Sequence, residues 1–158
     1  SRGLGDVYKR QVRVEPCDPR DPDAICVMER LSGALVTLTG DGGTSSFDPA
    51  EVLLPRAQFV VARDAQGAVI GCGAYRPLEG DVAEIKRMYA EQRCGGVILA
   101  HLEAAALADG YRAASLSTRR VNVRAVSFYA RHGYSEIAPY GRYADRPQSI
   151  CLGKCLSP

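Results

Sequence analysis

The sequence predicts an α/β fold of the α+β kind, with helices flanking a mixed, mostly antiparallel central sheet. Runs of strand-forming residues separated by turn residues come first, and helical and strand patterns alternate after them. The chain has 158 residues, of which 46% are hydrophobic and 24% are charged. A chain of this length and composition is expected to form a single domain with a full-sized core, which we assign to residues 12–158.

The first predicted elements are a strand and a helix. Residues 12–15 alternate between apolar and polar side chains, which predicts a short strand. Asp21-Pro22 then begins a helix, since proline is tolerated in the first helical turn. Within that helix, apolar residues recur at helical spacing at Ile25, Met28, Leu31 and Leu35.

A loop and three strands come next. Residues 39–46 are rich in Gly, Ser and Thr, which predicts a loop, and Asp48-Pro49 is expected to cap one helical turn. Turn residues then separate three strand patterns, so an antiparallel meander is expected. Its strands are residues 58–62, 69–75 and 82–89.

The second half of the chain alternates helices with strands. Apolar residues at Leu99, Leu102 and Ala106 predict a helix that begins at Gly96 and stops at Gly110. A second helix is expected from Asn122 to His132, closed by Gly133. The remaining predicted strands are residues 113–117, 134–137 and 150–152.

Charge and cysteine spacing exclude several classes of partner. The 20 Lys and Arg residues nearly balance the 18 Asp and Glu residues, so no nucleic-acid or acidic-membrane footprint is expected. No apolar run approaches the ~20 residues of a membrane helix. The six cysteines include no CxxC pair, which argues against a zinc site and favours reduced thiols in a cytoplasmic protein. Residues 1–11 resemble a translated linker and are left out of the fold prediction; the alternative is a native disordered leader.

The segment from Glu84 to Val97 carries the first functional signal. A predicted strand enters a turn that contains glycines, and the turn opens a helix. The first amides of a helix lack internal partners and, with the helix dipole, favour a bound anion such as a pyrophosphate. Gly95 and Gly96 allow a close approach of the backbone, and Arg93 adds positive charge. The alternative is a plain tight turn; the motifs of dinucleotide folds and P-loops are absent.

A second signal lies in the predicted helix that begins at Asn122. Seven residues turn an α-helix through roughly 700°, so Asn122 and Tyr129 share one face. The alternative interpretation makes Asn122 a helix N-cap and Tyr129 a core residue with its hydroxyl at the rim.

The order of these two segments resembles the GCN5-related N-acetyltransferase (GNAT) family, over roughly residues 12–154. In that family a strand leads into the turn [QR]-x-x-G-x-[GA] and a helix, and the matching turn is Arg93-Cys94-Gly95-Gly96 or Gln92-Arg93-Cys94-Gly95. Asn122 with Ala125, Phe128, Tyr129 and Gly133-Tyr134 resembles the family's later motif. Two departures stand out. The approach to the turn is about two residues shorter, and Ile98 replaces a small residue of the motif.

The resemblance implies an acetyl-CoA-dependent N-acetyltransferase that moves an acetyl group to a primary amine by direct attack, without a metal. It implies that the Met88 N–H faces the acetyl oxygen and that Ala90 pairs with the pantetheine. Tyr129 would protonate or hydrogen-bond the leaving thiolate, and Asn122 would bind the cofactor. The full set of implied cofactor-binding residues is Met88, Tyr89, Ala90, Gln92, Arg93, Cys94, Gly95, Gly96, Val97, Ile98, Asn122 and Tyr129.

The candidate base is Glu84, because an alkyl amine with a pKa of about 10 must lose a proton before it attacks. Strand parity places Glu84 with Lys86 and Met88 on one face, from which a water could relay the proton. The alternative is a surface carboxylate paired with Lys86 or Arg87. Cys94 could act as a covalent nucleophile at a helix N-terminus. A spectator thiol is favoured, since no His or Asp partner lies nearby in sequence.

The acceptor stays open at this point. Asp41, Tyr140 and Tyr143 are expected to line the acceptor pocket. Small amines, antibiotics, amino acids and peptide lysines are all compatible with the near-neutral charge. The alternatives to an enzyme are a non-catalytic acyl-CoA-binding or regulatory module on the same fold and a plain interaction domain. A homodimer is compatible with the resemblance, since dimers are common in the family.

Overall fold

A computed structural model describes residues 11–156 of the chain. Of the predicted linker-like segment at residues 1–11, residues 1–10 lie outside the described residues. The sheet has seven strands in the order β1-β2-β3-β4-β5-β7-β6. They are β1 Arg13–Pro16, β2 Gln58–Arg63, β3 Val69–Glu79, β4 Val82–Ala90, β5 Ala113–Arg119, β6 Ser135–Glu136 and β7 Ser149–Cys155. Only β4 and β5 pair in parallel, so the predicted mixed, mostly antiparallel sheet is confirmed.

Helices cover both faces of the sheet. They are α1 Pro22–Thr39, α2 Gly95–Ala108 and α3 Val123–Arg131. Helix α1 packs on one face against a cluster that includes Phe59 and Val61, whereas α2 and α3 pack on the other against residues such as Val60. Short 3₁₀ turns occur at Thr44–Ser46, Pro49–Val52 and Gly141–Tyr143. No helix within residues 11–156 is long and apolar enough to cross a membrane.

The predicted apolar stripe of α1 is wrong at one position. Ala24, Val27, Met28 and Leu31 are buried on the sheet, while the side chain of Ile25 is 45% exposed. The small Ala24 is buried where α1 lies against the sheet. Hydrophobicity alone would instead predict that the neighbouring Ile25 is buried there. Apolar spacing therefore predicted the helix correctly and its orientation only in part.

Helix α2 buries the predicted stripe. Leu99, Leu102 and Ala106 are all buried, and the chain turns at Gly110 with φ 96°, as expected for a left-handed cap. Two glycines of β3 make room for this helix. A Cβ on Gly71 would lie 2.7 Å from the Ile98 Cδ1 atom, and one on Gly73 would lie 2.8 Å from the Leu102 Cδ1 atom. The close packing of α2 on β3 thus depends on the absence of side chains there.

A bulge in β4 changes the predicted parity of its side chains. Ala74 of β3 lies opposite Lys86 and Cys72 lies opposite Tyr89, so one residue of β3 faces two of β4. Arg87 takes up the extra residue with φ 54°. Past the bulge the Met88 side chain faces α2, next to Gly73. The expectation that Glu84, Lys86 and Met88 share a face is therefore wrong for Met88.

The first three residues of β4 pair with β5, and then the two strands separate. The parallel register joins Val82, Ala83 and Glu84 to Ala113, Ala114 and Ser115, and it ends there. From that point β5 pairs only with β7. The second half of β4 keeps one free edge, and a cleft opens between the two strands.

Candidate active site

The cleft between β4 and β5 encloses about 180 Å³. Residues 85–88 of β4 form one wall and residues 116–119 of β5 form the other. Asn122, Ala125 and Tyr129 line it at the start of α3 and one helical turn further on. Concave sites with a few polar groups on apolar walls are where small molecules bind.

The free edge of β4 offers backbone groups to this cleft. The Glu91 N–H donates to the Ile70 carbonyl of β3 at 2.7 Å. Because backbone groups alternate between the two edges of a strand, those of Met88 and Ala90 point away from β3. Within residues 11–156 that edge has no strand partner after Glu84, so these backbone groups can pair with an extended ligand.

Asn122 and Tyr129 lie together in the cleft, as the helical spacing predicts. Asn122 is also the N-cap of α3, since its Oδ1 accepts from the Ala125 N–H at 3.2 Å. The Tyr129 side chain is buried, and among the described residues its hydroxyl has no hydrogen-bond partner. Burial raises the pKa of Tyr129 well above its ordinary value. The hydroxyl is therefore a proton donor at neutral pH.

The turn that opens α2 is short and strained. Gln92 and Arg93 both have positive φ, 55° and 60°, and the Cys94 N–H donates to the Glu91 carbonyl at 3.2 Å. The first internal helix bond is made by the Ile98 N–H to the Cys94 carbonyl, so the preceding amides point out of the helix. The segment before this turn is about two residues shorter than in the family. Gln92 and Arg93, which are not glycines, adopt left-handed backbone conformations that accommodate the shorter segment.

The two glycines at the start of α2 lie against α3. A Cβ on Gly95 would be 3.1 Å from the Phe128 ring, and one on Gly96 would be 3.2 Å from the His132 Nε2 atom. The sequence attributed both glycines to the approach of a phosphate. Their described contacts are with the helix that carries Asn122 and Tyr129, so they also fix the distance between the predicted turn and the cleft.

Other predicted cofactor-binding side chains point away from the cleft. The Ile98 side chain is fully buried beneath β3, which removes it from any phosphate at the turn. The Tyr89 hydroxyl donates to Glu91 at 2.7 Å. Burial raises the pKa of the Cys94 thiol to about 11, so this thiol is not a reactive thiolate and the spectator interpretation is favoured.

Glu84 is held in a buried ion pair. Its side chain is 4% exposed and lies 2.9 Å from the Arg76 Nη2 atom, and the Tyr140 hydroxyl donates to its other oxygen at 2.7 Å. The alternative pairing with Lys86 or Arg87 is not observed among the described residues. Glu84 is not among the residues that line the cleft. The Tyr140 ring whose hydroxyl contacts Glu84 also contacts the ring of Tyr143, which does line the cleft.

The part of the cleft lined by Asp41, Lys86, Arg119, Tyr143 and Arg146 is called its charged end. Asp41 and Tyr143 line the cleft, whereas Tyr140 is not among its lining residues and has its ring 5.6 Å from that of Tyr143. That these three residues line an acceptor pocket stays a prediction. Lys86, Arg119 and Arg146 also line the cleft, and the sequence did not single them out. No local motif marks these three residues. They come together only because β4, β5 and the loop before β7 meet there.

A cofactor with an extended polar chain fits this arrangement. The Ser117 hydroxyl is buried on the cleft wall, and among the described residues it has no hydrogen-bond partner. The unpaired β4 edge faces the same space. A ligand that brings amide and carbonyl groups would satisfy both, since buried polar groups in proteins are normally hydrogen-bonded.

Comparison with known proteins relates the chain to one family. A model of the acetyltransferase (GNAT) family matches residues 35–134, which is more than half of the chain. An IAA acetyltransferase of Azospirillum brasilense is 28% identical over 144 residues, which cover 87% of this chain and 94% of that protein.

Solved structures with the same fold include two from other bacteria. A proposed acyl-CoA N-acyltransferase of Klebsiella pneumoniae is 26% identical with a TM-score of 0.78, over 92% of this chain and 98% of that one. A GNAT family acetyltransferase of Elizabethkingia anophelis with acetyl-CoA bound is 15% identical with a TM-score of 0.67, over 92% and 98% of the two chains. At 15% identity the likeness concerns the fold alone.

Proposed function

The chain belongs to the acetyltransferase (GNAT) family, and we propose that it transfers an acetyl group from acetyl-CoA to a primary amine. The cleft between β4 and β5 supports this proposal most directly, because it combines a free strand edge with the unpartnered hydroxyl of Tyr129. The name of the Azospirillum brasilense relative, an IAA acetyltransferase, also supports acetyl transfer.

In this proposal the cofactor would be held by the β4 backbone, by side chains of the opposite wall of the cleft and by the start of α2. The backbone of Met88 and Ala90 would pair with the pantetheine, and Asn122 and Ser117 would contact it from the other wall. The outward amides of Gly95, Gly96 and Val97, with Arg93 beside them, would hold the phosphates. When bound, acetyl-CoA supplies the thioester that the amine attacks.

Met88, Tyr129 and Glu84 would each carry out a different part of the acetyl transfer. The Met88 N–H would donate to the acetyl oxygen as negative charge develops on it. Burial raises the pKa of Tyr129 and so keeps its hydroxyl protonated at neutral pH. Tyr129 would donate this hydrogen to the departing sulfur as negative charge develops there. Glu84 would accept the amine proton through the Tyr140 hydroxyl or a water, because Glu84 itself lies behind the cleft wall.

The compartment and the oligomeric state stay predictions. All six cysteines are unpaired, which supports the proposal of a reducing compartment such as the cytoplasm.

Acetyl transfer is tested by following the release of the CoA thiol from acetyl-CoA in the presence of a panel of amines. We expect amine-dependent release by the natural sequence, and a kcat at least about 10-fold lower for Tyr129→Phe with little change in the acetyl-CoA KM. The matched control is Tyr134→Phe, whose hydroxyl donates to Glu103 at 2.8 Å. Its kcat should stay unchanged. An unaltered kcat in Tyr129→Phe, or no release with any amine, would contradict the proposal.

A further inference from the structure

We propose that the amine acceptor carries a carboxylate, which binds beside Lys86 and Arg146 at the charged end of the cleft. This inference rests on the proposed function, because it concerns the acceptor of the same reaction. It narrows the acceptors that the sequence left open to small amines with an anionic group, such as amino acids.

The charges on the cleft wall are unequal. Lys86, Arg87, Arg119 and Arg146 line it, and the carboxylate among its lining residues is that of Asp41. Asp41 is already paired, with its Oδ2 atom 3.2 Å from the Arg119 Nη2 atom. Three cations of the described wall therefore have no carboxylate of the wall to balance them.

Lys86 has neutral partners only. Its Nζ atom lies 3.2 Å from the Ser46 hydroxyl and 3.1 Å from the Tyr143 hydroxyl. No carboxylate of the described residues lies within ion-pair distance of it. An ammonium group has three donors, so the two described partners leave one for a ligand in the cleft.

Arg146 and Arg87 add to the same positive field in different ways. The Arg146 side chain lines the cleft and, among the described residues, makes no hydrogen bond or ion pair. Arg87 is buried, and its guanidinium donates to the Met28 and Gly42 carbonyls and to the Ser32 hydroxyl. These partners are neutral, so they fix the Arg87 side chain without cancelling its charge.

The proposed cofactor does not account for these cations. Its phosphates would lie at the start of α2, and the pantetheine and acetyl groups that would enter the cleft are uncharged. A carboxylate on the acceptor would be attracted to the charged end, whereas a polycationic amine would be repelled by it.

The same cations favour the reaction of a bound amine. A positive charge nearby disfavours the protonated form of an ammonium group. An acceptor held by its carboxylate would thus bring its amino group into surroundings that lower the pKa of that group. Lys86 and Arg146 would thus both bind the carboxylate of the acceptor and favour deprotonation of its amino group.

The test compares matched acceptors in the thiol-release assay. Amino acids such as leucine and phenylalanine are compared with their carboxamides, and spermidine represents polycationic amines. The carboxamides have the less basic amino group and would be favoured by protonation alone. We expect kcat/KM at least about 10-fold higher for the free acids, with spermidine the poorest acceptor.

Variants then locate the effect. Lys86→Met and Arg146→Met should each raise the KM of the free acids about 10-fold or more. The KM of the carboxamides and the KM of acetyl-CoA should stay unchanged. Two separate variants keep the test valid if one of them folds poorly. Equal or better turnover of carboxamides or spermidine would overturn the carboxylate proposal while leaving the acetyltransferase intact. Release with none of these amines would count against the proposed function itself.

Discussion

At the scale of single residues, Tyr129 and Glu84 occupy opposite surroundings. Tyr129 lines the cleft and its hydroxyl has no partner among the described residues, whereas Glu84 is held by Arg76 and Tyr140. The sequence identified both residues, because helical spacing and strand position are local properties. It could not show that Glu84 is enclosed, since Arg76 and Tyr140 reach it from other parts of the chain.

Replacement of Glu84 tests whether it accepts the amine proton. In Glu84→Gln the reaction would depend on amine that is already deprotonated, which becomes abundant only as the pH approaches about 10. We expect kcat/KM to fall about 10–100-fold at pH 7 and to approach that of the natural sequence near pH 9.5. The pH profile of thiol release measures this.

A matched control separates proton transfer from packing. Glu51 contacts the same arginine, with its Oε2 atom 3.2 Å from the Arg76 Nη1 atom, but its side chain is 46% exposed. Glu51→Gln should leave the pH profile unchanged. A loss in Glu84→Gln that is the same at every pH would indicate a structural role for Glu84 and contradict the assignment as a base.

The buried thiols make a separate prediction about pH. Burial raises the pKa of Cys94 from 9.0 to about 11 and that of Cys72 to about 12. Below pH 9 these thiols are protonated in both the folded and unfolded chains, so their contribution to stability is fully present. As the pH rises from 9 towards 11 the unfolded chain loses these protons first, and the free energy of unfolding should fall.

Two measurements check the thiol prediction. Urea unfolding at pH 8 and pH 10.5 should show the loss, and Cys94→Ala should reduce it. Iodoacetamide at pH 8 should label the exposed Cys26 and Cys155 in the folded protein and spare Cys94. Rapid labelling of Cys94 would instead support a reactive thiolate at the start of α2.

At the scale of elements, periodicity predicted the helices better than the strands. The stripe of α2 was correct because Leu99, Leu102 and Ala106 all face the sheet. The faces of β4 were predicted incorrectly past Arg87, because a bulge depends on the pairing with β3 and has no signature in β4 alone. The Lys86 and Met88 side chains consequently lie on opposite faces of the sheet, and the Lys86 Nζ atom contacts the Tyr143 hydroxyl in the cleft.

Two glycines of different elements should respond to alanine in opposite directions. Gly33 lies in α1 with nothing within 4 Å of its Cβ position, so Gly33→Ala should stabilise the chain by about 0.5–1 kcal/mol. A Cβ on Gly71 would lie 2.7 Å from the Tyr89 carbonyl oxygen, so Gly71→Ala should destabilise it by about 1–3 kcal/mol. Urea unfolding measures both, and stabilisation by Gly71→Ala would contradict the close packing of β3 and α2.

At the scale of the whole molecule, the cleft follows from the way the sheet is assembled. β4 and β5 pair over only three residues and then separate, and α3 supplies Asn122, Ala125 and Tyr129 at the opening. The sequence predicted the fold class, and of the residues that line this cleft it named Met88, Asn122 and Tyr129 as cofactor-binding. The charged end was not predictable, because its residues come from segments up to about a hundred residues apart in the chain.

The most direct test of the account is a calorimetric titration of acetyl-CoA and CoA against the natural sequence and two variants of α3. Ala125 lines the cleft and Ala130 is exposed on the same helix. We predict binding by the natural sequence and by Ala130→Phe, and binding at least about 10-fold weaker by Ala125→Phe, with cooperative thermal unfolding retained in both variants. No binding by the folded natural sequence, or equal binding by Ala125→Phe, would contradict a cofactor in the cleft between β4 and β5.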